Sequence, residues 1–416
     1  MNISYNWLKD LIDIDLSAEE TAAALTRVGV TVESVQTYGD DFVLDIDLTS
    51  NRPDCLSHLG VAREIGVITK KNLTEVTQRH GEGVRNEIPL PTVLGEDIVR
   101  IVEPELCPRF TARIIKNIKI GPSPQWLARR LEAIGERSIN NVTDITNYVM
   151  HELGQPMHSF DLDKLSGKRI VVRLANRGEM ITTLDEIERK LDDSILAICD
   201  AEKPVAVAGV MGGIESSITG STINVLLEVA CFKRENIRTT SRKLNLSTEA
   251  SYRFERGVDI DNLISTSNRA TELICDLAGG IPGELIDVYS TNSESAEIDS
   301  LDISTAVKRL TGLEASSEKC NRILDALGIK TKDENDISNL RFQTFISPSW
   351  RHDLAIEEDL VEEVARHVGY SNISAELPPA FGAGEYQETE TREKLLRQTL
   401  VNMGFDEAIS YSFIDT

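Results

Sequence analysis

The sequence predicts an α+β multidomain chain, on three observations. Helix-like runs with an apolar stripe and strand-like runs with alternating or continuous apolar residues are mixed within each segment. Polar, glycine- or proline-marked stretches near residues 76–105 and at Pro378-Pro379 separate those segments. The length of 416 residues at 41% hydrophobic content is enough for roughly three domains of about 150 residues with cores of their own.

The first unit, 1–75, opens with helix punctuation. Ser17 to Glu20 forms a capping box, the helix runs to Val28, and Gly29 suits a left-handed terminus. Val30 to Val35 and the alternating FVLDIDL from Phe42 read as strands. A turn-rich corner, Thr49 to Asp54, then leads into the helical HLGVAREIGVI. Residues 76–105 read as a connecting segment.

From 106 to 285 the pattern is that of a mixed-sheet domain. Ser123 and Pro124 read as N-cap and first residue of the helix QWLARRLEAI, which Gly135 ends. RIVVRLA, MITTLD, ILAICD, PVAVAGV and INVLLEVA are strand runs separated by turns, and a helix from Asn262 to Leu277 closes at Gly279-Gly280. A compact unit follows over 298–372, with helices at Thr305 to Leu310, Glu318 to Leu327 and Ile356 to Val368, and a strand RFQTFIS. In 380–416 one helix, ETREKLLRQTLVNM, and one strand, DEAISYSFI, cannot bury a sheet face, so this part reads as the start of a further domain, incomplete.

Composition narrows the function classes. The six cysteines show no C-x-x-C pair and no zinc-ligand spacing, as expected of reduced thiols in the cytoplasm. Lys9, Asp10 and Asp13 break any signal-peptide core, and no uncharged apolar run approaches the ~18 residues of a membrane span. A net charge of -24 opposes polyanion binding by the whole surface, yet two basic strips stand out. Cys107 to Leu131 carries six basic residues and no acid, and Phe232 to Leu246 five basic residues and one acid. Each is either a solvated face or a local phosphate-binding strip.

NNVTDITNYVMHELGQPMHSFD, Asn140 to Asp161, concentrates polar chemistry among core-type residues. His151-Glu152 is not a zincin motif, because Gln155 stands where the second histidine belongs and Gly154 and Pro156 break the helix. His158 is expected on a turn, near Thr146 and Asn147 if the preceding helix folds back. VAVAGVMGGIES, Val205 to Ser216, is a strand emptying into a glycine loop without the Lys-Ser/Thr of a P-loop. It is either a tight hairpin or a place where the backbone at Ala208 and Gly209 approaches a ligand. Glu228 interrupts the apolar VLLEVACF; it faces solvent by strand alternation, or it faces a pocket and accepts a hydroxyl.

On the helix from Ile356, Ile356, Leu360, Val361, Val364 and Val368 share one face, and Asp359, Glu362 and Glu363 another. With Asp353 these acids either hold Mg2+ or form a solvated face with i,i+4 pairs to Arg366 and His367. No Ser-His-Asp order, G-x-S-x-G or nucleophilic cysteine is present, so hydrolysis would use a positioned water.

Four segments together resemble the β subunit of bacterial phenylalanyl-tRNA synthetase: DIDLTSNRPDCLSHLGVARE; INNVTDITNYVMHELGQPMHSFD; AVAGVMGG with LEVACF and STEASYRFERGVD; and SPSWRHDLAIEEDLVEEVARHVGY. The resemblance implies a B1-type N-terminal unit, a B3/B4 editing domain, a winged-helix-like B5 domain, and the start of a class II catalytic-like but inactive domain. It implies an α-subunit partner that activates phenylalanine with ATP, an (αβ)2 tetramer, binding of tRNA(Phe), and hydrolysis of mischarged Tyr-tRNA(Phe). Thr146, Asn147 and His158 would orient the ester and a water, while Ala208, Gly209, Glu228, Ala230 and Ser159 would line the amino-acid pocket. Glu228 would accept the tyrosine phenol, and Asp353, Asp359, Glu362 and Glu363 would hold Mg2+ shared with the α subunit.

The chain departs from that pattern in three ways. Ser159 replaces a small residue, often alanine; the N-terminal OB-fold tRNA-binding insertion expected near Tyr38 to Asp41 is absent; and the family chain continues past Thr416. A non-catalytic scaffold for tRNA or the α subunit is the alternative, and a free-standing carboxylate-metal hydrolase a third reading.

Overall fold

The computed structural model describes residues 1–74, 98–290, 296–332, 343–375, 384 and 386–413. Met1–Ile373 forms one compact unit and Ser374–Thr416 a second.

The N-terminal region is a three-stranded antiparallel sheet, ordered Asn2–Ser4, Asp41–Asp47, Thr31–Tyr38. The Ser17–Glu20 capping box forms as expected and starts the helix Ala18–Arg27. With the helix His58–Thr69 it buries Leu25, Val61 and Ile65 against Leu44 and Ile46 of the central strand.

The middle region has three layers. A five-stranded sheet runs Met211–Gly212, Pro204–Val207, Leu196–Cys199, Ile170–Leu174, Val99–Ile101, antiparallel except for its last, parallel pair. That last strand lies within the stretch expected to be only a connector; its Val99 is fully buried, and the short polar sequence around it concealed the strand. A four-stranded antiparallel sheet, Ile281–Tyr289, Arg109–Lys116, Val225–Cys231, Met157–Asp161, packs against the first sheet through Phe110, Ala112, Leu226 and Ala230. Its other face, carrying Ile115, Val225 and Leu227, is covered by the helices Gln125–Ala133, Asn141–Leu153 and Leu263–Ala278. Alternation along a strand divides its residues between these two environments.

Ser123 is not the N-cap of its helix. Pro124 is, and the Ser123 hydroxyl is drawn instead to the Asp144 carboxylate. Ser123 read as the cap because local sequence cannot show a competing tertiary acceptor.

The next region pairs Glu297–Ser300, Gln343–Ile346 and Lys330–Thr331 in an antiparallel sheet. The helices Ile303–Thr311, Ser317–Ala326 and Glu357–Val368 pack on it around Phe345. Residues 341–342 of the expected strand lie outside the described residues. The last helix sorts differently from its apolar count: Glu363 and Arg366 are buried while Ile356 is exposed.

In the second unit the helix Glu388–Asn402 forms, but residues 406–413 adopt no strand. A strand needs a neighbour for its backbone donors and acceptors, and among the described residues of this unit none offers one. All six cysteines are free, and among the described residues no helix is long and apolar enough to cross a membrane.

Candidate functional site

The helix Asn141–Leu153 is capped at its start by the Asn140 side chain and ends at Gly154, in the left-handed region at φ 81°. There the chain reverses. The Gln155 amide nitrogen then donates to the Ala230 carbonyl at 2.9 Å, fastening the reversal to the neighbouring strand. His158 therefore lies within the strand Met157–Asp161 and not on a turn, because pairing with Val225–Cys231 extends the chain immediately after Pro156.

The register of that pairing places His158 directly opposite Glu228. Both leave the sheet on the side of Leu226 and Ala230, toward the five-stranded sheet, so Glu228 takes the interior of the two alternatives its sequence allowed. Glu228 Oε2 and His158 Nε2 are buried without a hydrogen-bond partner among the described residues. Burial pushes the Glu228 carboxyl up to about 8 and the His158 imidazole down to about 4, so both are neutral near pH 7. The His158 ring meets Phe160 edge-on at 4.5 Å.

The glycine loop comes up against His158. Gly209, at φ 66°, is ringed by Ile237, Phe232 and Phe254; a Cβ there would stand 2.8 Å from Ile237 Cδ1. Gly212 lies against the histidine, and a Cβ on it would stand 2.4 Å from His158 Cε1. The Thr248 hydroxyl, donating to the Val210 carbonyl at 2.8 Å, ties the loop to the helix Glu249–Phe254. Sequence reasoning missed Gly212 and Thr248. The GVMGG run signals a close backbone approach, but not what approaches.

The remaining residues implied by resemblance divide between the two faces. Ala208 and Ala230 lie with Glu228 in the inter-sheet core. Ser159, opposite Leu227, leaves the other face, and its buried hydroxyl has no described partner. Thr146 and Asn147 belong to the helix that packs on that face through Ile145 and Val149. Thr146 is nearly buried and donates to the Thr143 carbonyl at 2.7 Å; Asn147 is partly exposed.

The four acids expected to hold Mg2+ do not converge. Arg351 donates to both oxygens of Asp353, each at 2.8 Å, and to both oxygens of Glu363 at 2.8 and 2.9 Å. Asp359 accepts from the backbone of Ala355 and Ile356 at 2.8 and 2.9 Å as a helix cap, while Glu362 is exposed. Guanidinium groups and a helix terminus thus take the lone pairs a cation would need, and the arrangement does not fit a four-carboxylate site. Nor do the two clusters whose ligand atoms do meet within 4.8 Å among the described residues, Asp54–Cys55–Glu64 and Glu136–His151–Glu249, leave room for an ion. Arg52 is bonded to all three members of the first, and Arg253 to His151 and Glu249 of the second.

Comparison with known proteins adds the family. Residues 106–279 match the B3/4 domain and residues 304–370 the tRNA synthetase B5 domain. A phenylalanine-tRNA ligase beta subunit of Moorella thermoacetica is 44% identical over 377 residues, 90% of this chain and 45% of that protein. One of Rhodopirellula baltica is 37% identical over 420 residues, 100% of this chain and 59% of that protein. The chain thus spans about half the length of the curated relatives it matches. A solved N-terminal fragment of the Pyrococcus horikoshii phenylalanyl-tRNA synthetase beta subunit aligns with 88% of this chain and 99% of that one at TM-score 0.46 and 14% identity, too slight a likeness to bear on the fold. Over the region it spans, the chain carries the B3/4 and tRNA synthetase B5 domains and is similar along nearly its whole length to phenylalanine-tRNA ligase beta subunits.

Proposed function

We propose that this chain works as a β subunit of phenylalanine-tRNA ligase whose middle domain hydrolyses Tyr-tRNA(Phe), in the cytoplasm, beside an α subunit that activates phenylalanine with ATP. The observation that carries the reading is the Glu228–His158 pair: two interior polar side chains, side by side, each with an orphan atom. A carboxyl group kept neutral by burial can donate or accept, and a tyrosine phenol can do either in return. Phenylalanine would leave the carboxyl unpaired, at a cost of about 1–3 kcal/mol for the lost partner alone. The aminoacyl ester is already reactive. Neutral His158, with Nε2 free to accept, would orient a water and take its proton as the water oxygen bonds to the carbonyl carbon; the tRNA hydroxyl then leaves with a proton. The α partner and the (αβ)2 assembly belong to the same proposal, and no step here depends on a metal.

The test is release of tyrosine from Tyr-tRNA(Phe) by the purified chain, beside Phe-tRNA(Phe) and the variants Glu228→Ala and His158→Ala. Release of tyrosine with phenylalanine spared, and loss of that preference in Glu228→Ala, is expected. A folded chain with no release above the uncatalysed rate would overturn autonomous editing and favour the scaffold role.

A further inference from the structure

The two basic strips of the sequence have different fates. In the first, Arg109 pairs with Asp287, Arg130 with Asp10, and Arg113 is buried against Asn268, so its charges are dispersed or consumed. The second folds into the helix Arg234–Lys243, which buries Ile237, Thr240 and Ser241. Arg234, Arg238 and Arg242 recur every fourth residue on its exposed side, about 6 Å apart along the axis. Among the described residues Arg238 and Arg242 make no ion pair or side-chain hydrogen bond, and Arg234 reaches only the Arg256 carbonyl, at 3.5 Å. A row of free guanidinium groups on a chain of charge -24 does not arise from a general excess of base.

Two further features mark the row as a docking surface. Arg234 and Arg238 open onto a cleft of about 330 Å³ with Arg256, Ser50, Glu235 and Glu255. Of its two acids Glu255 is engaged by Arg256, whose guanidinium also lies over the Tyr252 ring at 3.5 Å. The same helix walls the glycine loop, since Ile237 is what a Cβ on Gly209 would strike. The inner side of this helix thus abuts the glycine loop, which meets His158 at Gly212, while its outer side carries the charge, about 10 Å across the helix.

We infer that the Arg234–Arg238–Arg242 row binds the phosphodiester backbone of a single-stranded RNA end and holds it over the glycine loop. The inference rests on the editing reading for the identity of that RNA, the 3′ end of an aminoacyl-tRNA. The contacts are to phosphate, so they position the strand without reading its sequence.

The test is fluorescence anisotropy of the purified chain with an uncharged acceptor-stem RNA hairpin ending in single-stranded CCA, between about 50 and 400 mM salt. Each arginine that neutralises a phosphate contributes about 0.7 to the slope of log affinity against log salt, or about fivefold in affinity at 0.1 M. Arg238→Gln and Arg242→Gln are each expected to lose that much, and the double variant about 25-fold. Lys116→Gln/Lys119→Gln, in the first strip, should leave affinity unchanged. The inference is overturned if the wild-type chain does not bind the hairpin, if the double variant binds with unchanged salt slope, or if the lysine control weakens binding equally. Tyrosine release is scored separately. Arginine-dependent binding without hydrolysis removes only the editing reading, and hydrolysis with arginine-independent binding removes only the row.

Discussion

Glu228 and His158 stand opposite each other on adjacent antiparallel strands, both turned into the space between two sheets and both neutral there. Their pH responses have opposite signs. The folded Glu228 holds its proton from its ordinary 4.5 up to about 8, so in that window the native state binds more protons and stability falls as pH rises. The folded His158 gives up its proton at about 4 and not 6.5, so between those values stability rises with pH. The two slopes largely cancel between 4.5 and 6.5. Urea denaturation is expected to show this pair lowering stability between pH 6.5 and 8 by at most about 2 kcal/mol, and Glu228→Gln should remove that part of the slope.

Gly212 presses its backbone against the His158 ring. Its backbone is not in the left-handed region, so Gly212→Ala costs no dihedral strain, yet the added Cβ at 2.4 Å must displace the ring. A displacement of about 1 Å at a positioning group lowers a rate about 100-fold. Steady-state release of tyrosine from Tyr-tRNA(Phe) should fall by that order while the far-UV circular dichroism of the variant matches the parent; unchanged release would take His158 out of the chemistry.

Ser159 carries a buried hydroxyl with no described partner, on the face opposite His158. Removing an unsatisfied polar atom is stabilising or neutral, by up to about 1 kcal/mol. Ser159→Ala is therefore expected to raise the melting temperature slightly and to leave the preference for tyrosine intact. A loss of editing in this variant would place Ser159 in the pocket after all.

Arg366 joins two regions far apart in sequence. It donates to both oxygens of Glu64, at 2.6 and 2.8 Å, and to Glu363, all nearly inaccessible to solvent. Arg366→Met leaves Glu64 with Arg52 and Glu363 with Arg351, so it removes the bridge between them without stranding either, and should cost about 1.5–3 kcal/mol in urea denaturation. Adding Glu64→Gln is expected to recover part of that loss, since four largely buried acids then share two arginines and the surplus negative charge is what destabilises; no recovery would show that packing alone is lost.

Local order was legible in the sequence. The capping box at Ser17, the helix end at Gly154 and the alternation across VLLEVACF depend on residues within a few positions of one another, and each formed as its chemistry requires. His158, Glu228, Ala208 and Gly209 were legible as a set only through the quoted motifs; the structure pairs His158 with Glu228 and sets Ala208 in the same inter-sheet core, while Gly209 lies against Ile237, Phe232 and Phe254. What sequence could not decide was which face, which partner and which charge. Glu228 had a solvent side and an interior side, and only packing of the second sheet against Leu226 and Ala230 chose between them. Asp353 and Glu363 looked like cation ligands because spacing shows where carboxylates are and not where Arg351 and Arg366 fold back onto them. Periodicity is a property of neighbours along the chain, whereas desolvation and ion pairing are set by residues up to 302 positions away, and those distances exist only once the chain has folded.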